Sequence, residues 1–143
     1  MIQPINVLLV EDNPADAELL AEVMGRDKLH IALHVEADGI AALQYLRTAG
    51  AGRDHARPDL IILDLNLPLK DGRELLHDIK TDPALRLIPV VVLTSSEAES
   101  DVAKTYDLGA SAYVAKPLDF AGFARVVKSL EEFWFTVVRL PPK

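Results

Sequence analysis

The sequence contains no cysteine, which excludes a disulfide framework and any thiolate metal site. No apolar run approaches the roughly 20 residues that a membrane-spanning helix needs, and the N-terminus lacks the basic-then-apolar order of an export signal. A cytoplasmic location is therefore expected, with no membrane association. Basic residues are outnumbered, 15 against 22 acids, for a formal charge of −7. Phosphate backbones select clustered cations, so a dedicated nucleic-acid binder is not expected either. Aromatics make up only 6% of the chain, so the consecutive Phe133, Trp134 and Phe135 stand out.

What remains is an ordinary globular composition. Half of the 143 residues are hydrophobic, enough for a chain of this length to bury roughly 70% of its unfolded surface in one domain. Strand-like and helix-like runs alternate throughout. INVLLV (5–10) is followed by NPADAELLAEVMGRD, where Asn13 is an N-cap, Pro14 opens the helix, and Ala17, Leu20, Val23 and Met24 form one stripe. HIALHVEA (30–37) reads as a strand and 38–50 as a helix with Ile40, Leu43 and Leu46 inward. Strand 59–64 precedes a helix over 72–81, which Asp82-Pro83 ends. PVVVLT (89–94) precedes a helix over 96–109 with a Ser96-x-x-Glu99 capping pattern and a terminal Gly109. SAYVAK (111–116) leads through Pro117 and an Asp119 cap into a last helix to about 136, with Phe123, Val127, Leu130 and Trp134 in register.

Five βα units in series predict a single doubly wound α/β domain: a parallel sheet with helices on both faces. Ligands of such sheets bind beyond the carboxyl ends of the strands. Those ends carry Glu11-Asp12, Asp64, Thr94 and Lys116. Converging carboxylates repel one another unless a cation intervenes, and Mg²⁺ prefers a few carboxylates plus carbonyl and water oxygens. Asp12, Asp64 and the Asn66 backbone carbonyl are candidates for direct ligands, and Glu11 for one acting through water. Lys116 adds a point charge and Thr94 a hydroxyl donor. Together they suit phosphoryl transfer, which asks mainly for positioning and charge neutralisation. A carboxylate is itself a competent acceptor, so Asp64 reads as the acceptor.

The order strand–Glu11-Asp12, strand–Asp64, Pro68, Asp71-Gly72, strand–Thr94, Tyr113, Lys116-Pro117 resembles the receiver domain of two-component response regulators over essentially the whole chain. The resemblance implies a flavodoxin-like strand order, 2-1-3-4-5, and phosphorylation of Asp64 from a histidine kinase's phosphohistidine. It implies Mg²⁺ on Asp12 and Glu11, phosphoryl contacts from Thr94 and Lys116, and Tyr113 as a switch aromatic. Pro68, Gly72 and Pro117 would shape the loops. Proline makes a cis bond at Lys116-Pro117 accessible for about 0.5–1 kcal/mol, and in this family that bend aims the lysine. Asn66 and Ser96 stand where the family tunes phosphate lifetime.

More narrowly, DLNLPLKDGRELL, the extra residues in 50–58 and the tail FWFTVVRLP look like single-domain regulators paired with bacterial phytochrome kinases. The C-terminal aromatic extension, from about 131 to 143, is then expected to make a homodimer contact through Phe133, Trp134 and Phe135. A helix cannot bury three consecutive residues on one face, so at least one should be exposed. His30, His34, His55 and His77 read as structural.

Three other readings fit less well. A haloacid-dehalogenase-type phosphatase has D-x-D after its first strand, whereas Asp64 opens D-L-N after the third. A nucleotide-binding flavodoxin relative needs a glycine-rich first loop, and here it is EDNPAD. A receiver-shaped module that is never phosphorylated has no support, because every site position is filled.

Overall fold

The computed structural model describes residues 4–25, 30–50, 55–96 and 98–142. Residues 51–54 of the loop that distinguishes the narrower resemblance, and the end of the first predicted helix at 26–27, lie outside that range. Ten α and β elements alternate: β1 (Ile5–Val10), α1 (Pro14–Gly25), β2 (Ile31–Glu36), α2 (Gly39–Arg47), β3 (Leu60–Leu63), α3 (Gly72–Thr81), β4 (Val90–Thr94), α4 (Glu99–Asp107), β5 (Ala112–Ala115) and α5 (Phe120–Glu132). A π-helical turn, Phe133–Val137, follows α5 directly. All pairings are parallel and the sheet order is β2-β1-β3-β4-β5.

Side chains alternate across each strand, and the core accordingly forms two layers. Leu8, Val10, Ile61, Leu63, Val90 and Val92 face α2 and α3, where they meet Leu43, Leu46, Leu75, Leu76 and Ile79. Val7, Leu9, Leu60, Ile62, Val91 and Leu93 face α1 and α5, where they meet Leu20, Met24, Phe123 and Val127. Both faces of β3 and β4 are covered, so all their residues are buried. This explains why these two strands read as continuous apolar runs. Each fully buried Leu or Ile contributes about 1.5–3 kcal/mol.

Three local expectations need correction. Ile40 is exposed; the inward stripe of α2 runs through Gly39, Ala42, Leu43 and Leu46. Gly39 holds the inner position because a Cβ there would lie 2.1 Å from the Lys70 carbonyl oxygen. The Ser96-x-x-Glu99 box does not form. The first residue of α4 is Glu99, after Ala98, without a side-chain cap, and the Ser96 hydroxyl donates instead to Asp101 Oδ2 at 2.6 Å. Finally, no peptide bond among the described residues is cis, including Lys116–Pro117. The Lys116 amide donates to the Thr94 carbonyl at 2.7 Å, extending the ladder by one residue, and the long lysine side chain reaches the acids from a trans peptide.

The histidines are structural where the structure shows their contacts. Tyr45 is sandwiched between His34 and His55, with centroid separations of 3.9 and 3.8 Å and near-parallel planes.

Candidate functional site

Four strand ends and one helix start build the site. The α1 start is fixed by Asn13, whose Oδ1 accepts from the amides of Ala15 and Asp16 at 2.9 and 3.2 Å. This turns the chain sharply after β1 and leaves Glu11 pointing inward and Asp12 outward. Glu11 is 3% exposed, whereas Asp12 is open to solvent. After β3, the Gly72 amide donates to the Leu65 carbonyl at 2.8 Å. That contact folds the following loop back over the strand end and leaves Asp64 at the floor of a cleft.

Asp64 is buried, and both its oxygens are engaged. Oδ1 accepts from the Thr94 hydroxyl at 2.8 Å and from the Asn66 amide at 3.3 Å. Oδ2 accepts from Lys116 Nζ at 3.0 Å. Lys116 Nζ also donates to Glu11 Oε1 and to Asp16 Oδ2, the latter at 3.0 Å. A carboxylate oxygen from each of Glu11, Asp12 and Asp64 can be chosen so that all lie within 4.8 Å of one another. Three hard carboxylate oxygen donors at this spacing fit a divalent cation of the Mg²⁺ or Mn²⁺ type. The cleft above them, about 530 Å³, is lined by Asp12, Asp16, Asp64, Asn66, Ser95 and Lys116.

Electrostatics divides the two buried acids. Burial pushes Glu11 up to about 7, against the lowering influence of Lys116. Burial pushes Asp64 up as well, but the Lys116 ammonium and the Thr94 hydroxyl outweigh it and hold its carboxyl below the usual range. Burial alone would lower Lys116, yet its carboxylate partners keep it above the ordinary lysine value. At neutral pH Asp64 is thus an ionised carboxylate with the Lys116 ammonium on one oxygen and the Thr94 hydroxyl on the other.

Around the cleft, Tyr113 on β5 is half-buried against the α2–α3 core layer, and its hydroxyl donates to the Ser96 carbonyl at 2.7 Å. The segment that carries Thr94 is thereby tied to Tyr113. The same segment is held from the other side: Ser96 to Asp101, and Asp101 to the Arg73 guanidinium through Nε at 3.1 Å and Nη2 at 2.9 Å. Pro68 bounds a tight turn whose Lys70 amide donates back to the Pro68 carbonyl at 2.7 Å, with Leu69 at φ 68°. The aromatic triplet lies just past the end of α5, in the π-helical turn. Phe133 is exposed, while Trp134 and Phe135 pack on the α1–α5 layer. The π-helical turn adds residues to that last turn, which is how two consecutive aromatics can both reach the core.

The strand-end residues read from the sequence therefore converge. Two contributors were not anticipated. Asp16 looks in sequence like a first-turn acid serving the helix dipole, and the Arg73–Asp101 pair joins two helices 28 positions apart. Only the Pro14 helix start places Asp16 on the side of α1 that faces Lys116.

A parallel 2-1-3-4-5 sheet with an acid cluster, a hydroxyl and a lysine at its carboxyl edge defines a receiver, and the chain belongs to the response regulator receiver domain family, which matches residues 7–128. Response regulator Rcp1 of Synechocystis sp. is 44% identical over 138 residues, spanning 96% of this chain and 94% of that protein. The structure is similar to that of the phosphorylated cyanobacterial phytochrome response regulator RcpA, with a TM-score of 0.93 and 43% identity over 98% of this chain and all of that one. It is equally similar to the Mn²⁺-bound form of Rcp1, with a TM-score of 0.92 and 43% identity over 97% of this chain and all of that one. Among the described residues no helix is long and apolar enough to cross a membrane.

Proposed function

We propose that this response regulator accepts a phosphoryl group on Asp64 from the phosphohistidine of a phytochrome-type histidine kinase. The reading rests above all on one observation: Asp64 is buried with one oxygen on Thr94 and the other on Lys116, beside Glu11 and Asp12. The name of one similar solved structure, a cyanobacterial phytochrome response regulator, supports the kinase class. Mg²⁺ would be held by Asp12 and Asp64 directly, by Glu11 through water, and by the Asn66 carbonyl. When bound it supplies charge neutralisation for the incoming phosphoryl group. Asp64 is the nucleophile, Thr94 and Lys116 take phosphoryl oxygens, and Tyr113 follows Thr94 through the Ser96 carbonyl. The protein takes part in its own phosphorylation and dephosphorylation and turns over no separate substrate. It works in the cytoplasm as one receiver domain with an aromatic extension. Its output is a changed surface for other proteins.

The test is intact mass after incubation with acetyl phosphate, with and without Mg²⁺. A Mg²⁺-dependent, base-labile adduct is the expected result, and its absence, also with a phosphorylated histidine kinase as donor, would refute the reading.

Cation binding carries a pH signature. A divalent ion needs Glu11 ionised, and its carboxyl titrates near pH 7 because it is buried. Protons therefore compete below that pH. Apparent Mg²⁺ affinity, measured by titration calorimetry, is expected to rise as pH climbs toward 7 and to flatten above it, with about one proton released per ion on the acid side. An affinity independent of pH between 5 and 7 would remove Glu11 from the cation site.

Homodimerisation through the aromatic extension belongs to the same reading. The largest cavity among those described, about 820 Å³, runs between β5 and α5 and is lined in part by Val114, Val126, Leu130, Phe133 and Trp134. With Phe133 exposed beside it, this apolar face is suited to a second copy. Phe133→Glu is expected to shift sedimentation toward monomer, and Phe135→Glu likewise. An unchanged oligomeric state in both variants would exclude this face.

A further inference from the structure

We infer that Asp16 is a positioning residue for Lys116, which it holds back until a phosphoryl oxygen takes its place; this rests on the phosphoacceptor reading of Asp64. An ammonium has three N–H donors and no acceptor. In this structure all three are spoken for, by Glu11, Asp16 and Asp64. Lys116 therefore has no donor left for a phosphoryl group unless one carboxylate lets go.

Exposure decides which one does. The side chains of Glu11 and Asp64 are 2% and 8% exposed, and that of Asp16 is 28% exposed. Even with a cation bound, Glu11 and Asp64 stay buried beside the ammonium, whereas a partly exposed carboxylate that loses Lys116 is resolvated by water. Asp16 also sits on the rim of the cleft through which a donor must come. It is the partner that Lys116 can surrender at least cost.

The chemistry is balanced. An Asp64 oxygen forms the new bond to phosphorus, the bond from phosphorus to the donor oxygen breaks, and the electron pair leaves with acetate when acetyl phosphate is the donor. As that happens, one Lys116 N–H turns from Asp16 to a phosphoryl oxygen. Asp16 thus sets a threshold. It keeps the lysine aimed and charge-compensated at rest, and it makes the phosphoryl group compete for the ammonium.

The experiment is a rate of labelling by acetyl phosphate at saturating Mg²⁺, followed by intact mass, for the full chain and its variants. Asp16→Asn is expected to label about threefold faster than wild type, the size expected for release of one partly exposed ion pair. Asp16→Glu, which keeps the charge, should stay near wild type. In a Lys116→Ala background, where labelling is slower but measurable, Asp16→Asn should change nothing further. A rate for Asp16→Asn equal to or below wild type overturns the inference. So does the same acceleration with Lys116 absent, because the effect would then be bulk repulsion of an anionic donor. Failure of wild type to label under any donor would instead overturn the reading of Asp64, and the inference with it.

Discussion

Asp64→Asn is expected to abolish phosphoryl labelling completely while leaving the fold intact. The amide is isosteric with the carboxylate but is not a competent nucleophile. Glu11 does not substitute, because its carboxyl is buried, is held by Lys116 and the Asn13 amide, and titrates near 7. Asp12 is open to solvent, but among the contacts described no hydroxyl or ammonium donor is trained on its oxygens as Thr94 and Lys116 are on those of Asp64. Lys116→Ala should differ in kind. It removes a cation that stabilises the transferring group, so labelling slows without vanishing, and the coupling to the Thr94–Ser96–Tyr113 segment is weakened. Intact mass and peptide mapping check both. An adduct of undiminished yield in Asp64→Asn would place the acceptor elsewhere.

Gly72→Ala is expected to carry a large cost to stability at the strand end that holds Asp64. A Cβ at this position would stand 2.4 Å from the Asp64 carbonyl oxygen, 2.6 Å from Leu65 Cα and 2.8 Å from the Leu65 carbonyl oxygen. All three are backbone atoms of the strand end that carries Asp64, and none can rotate away. The strain does not come from backbone dihedrals, since the glycines at positive φ are Gly50 and Gly109. The chain must instead open the Leu65–Gly72 hydrogen bond or shift α3, whose Leu75, Leu76 and Ile79 are fully buried. Either response costs roughly 2–3 kcal/mol. Urea unfolding should show a lower midpoint with unchanged slope, and labelling of Asp64 should slow because its loop moves. Wild-type stability in Gly72→Ala would mean that the loop has slack this packing does not allow.

Much of this architecture was legible in the chain itself. Runs such as LIIL and VVVL suit strands covered on both sides, and the Asn13-Pro14 start, the Asp119 cap and the Gly109 stop mark helix ends by local hydrogen bonding. The strand-end residues Glu11, Asp64, Thr94 and Lys116 were legible for the same reason: in a parallel sheet every strand delivers its last residue to one edge. Where local rules misled, a contact from elsewhere in the chain had intervened. Ser96 forgoes its capping role because Asp101, pinned by Arg73, offers a better acceptor. Ile40 turns outward because Gly39 must lie against Lys70.

By itself, then, the sequence determined the element order, the α/β class, the two-sided core and the residues that reach the carboxyl edge, since all of these follow from periodicity and from groups near one another along the chain. Only the tertiary structure decided how the charges share that edge. Glu11 and Asp64 end neighbouring strands and read alike as acids. Their titration is driven apart because Asp64 lies between the lysine and a hydroxyl, while Glu11 is buried with the lysine as its cation. Asp16 joins them because α1 starts where it does and β5 ends opposite. Partner, burial and distance across about a hundred positions of chain set those properties, and none of the three is a local property of the residues concerned.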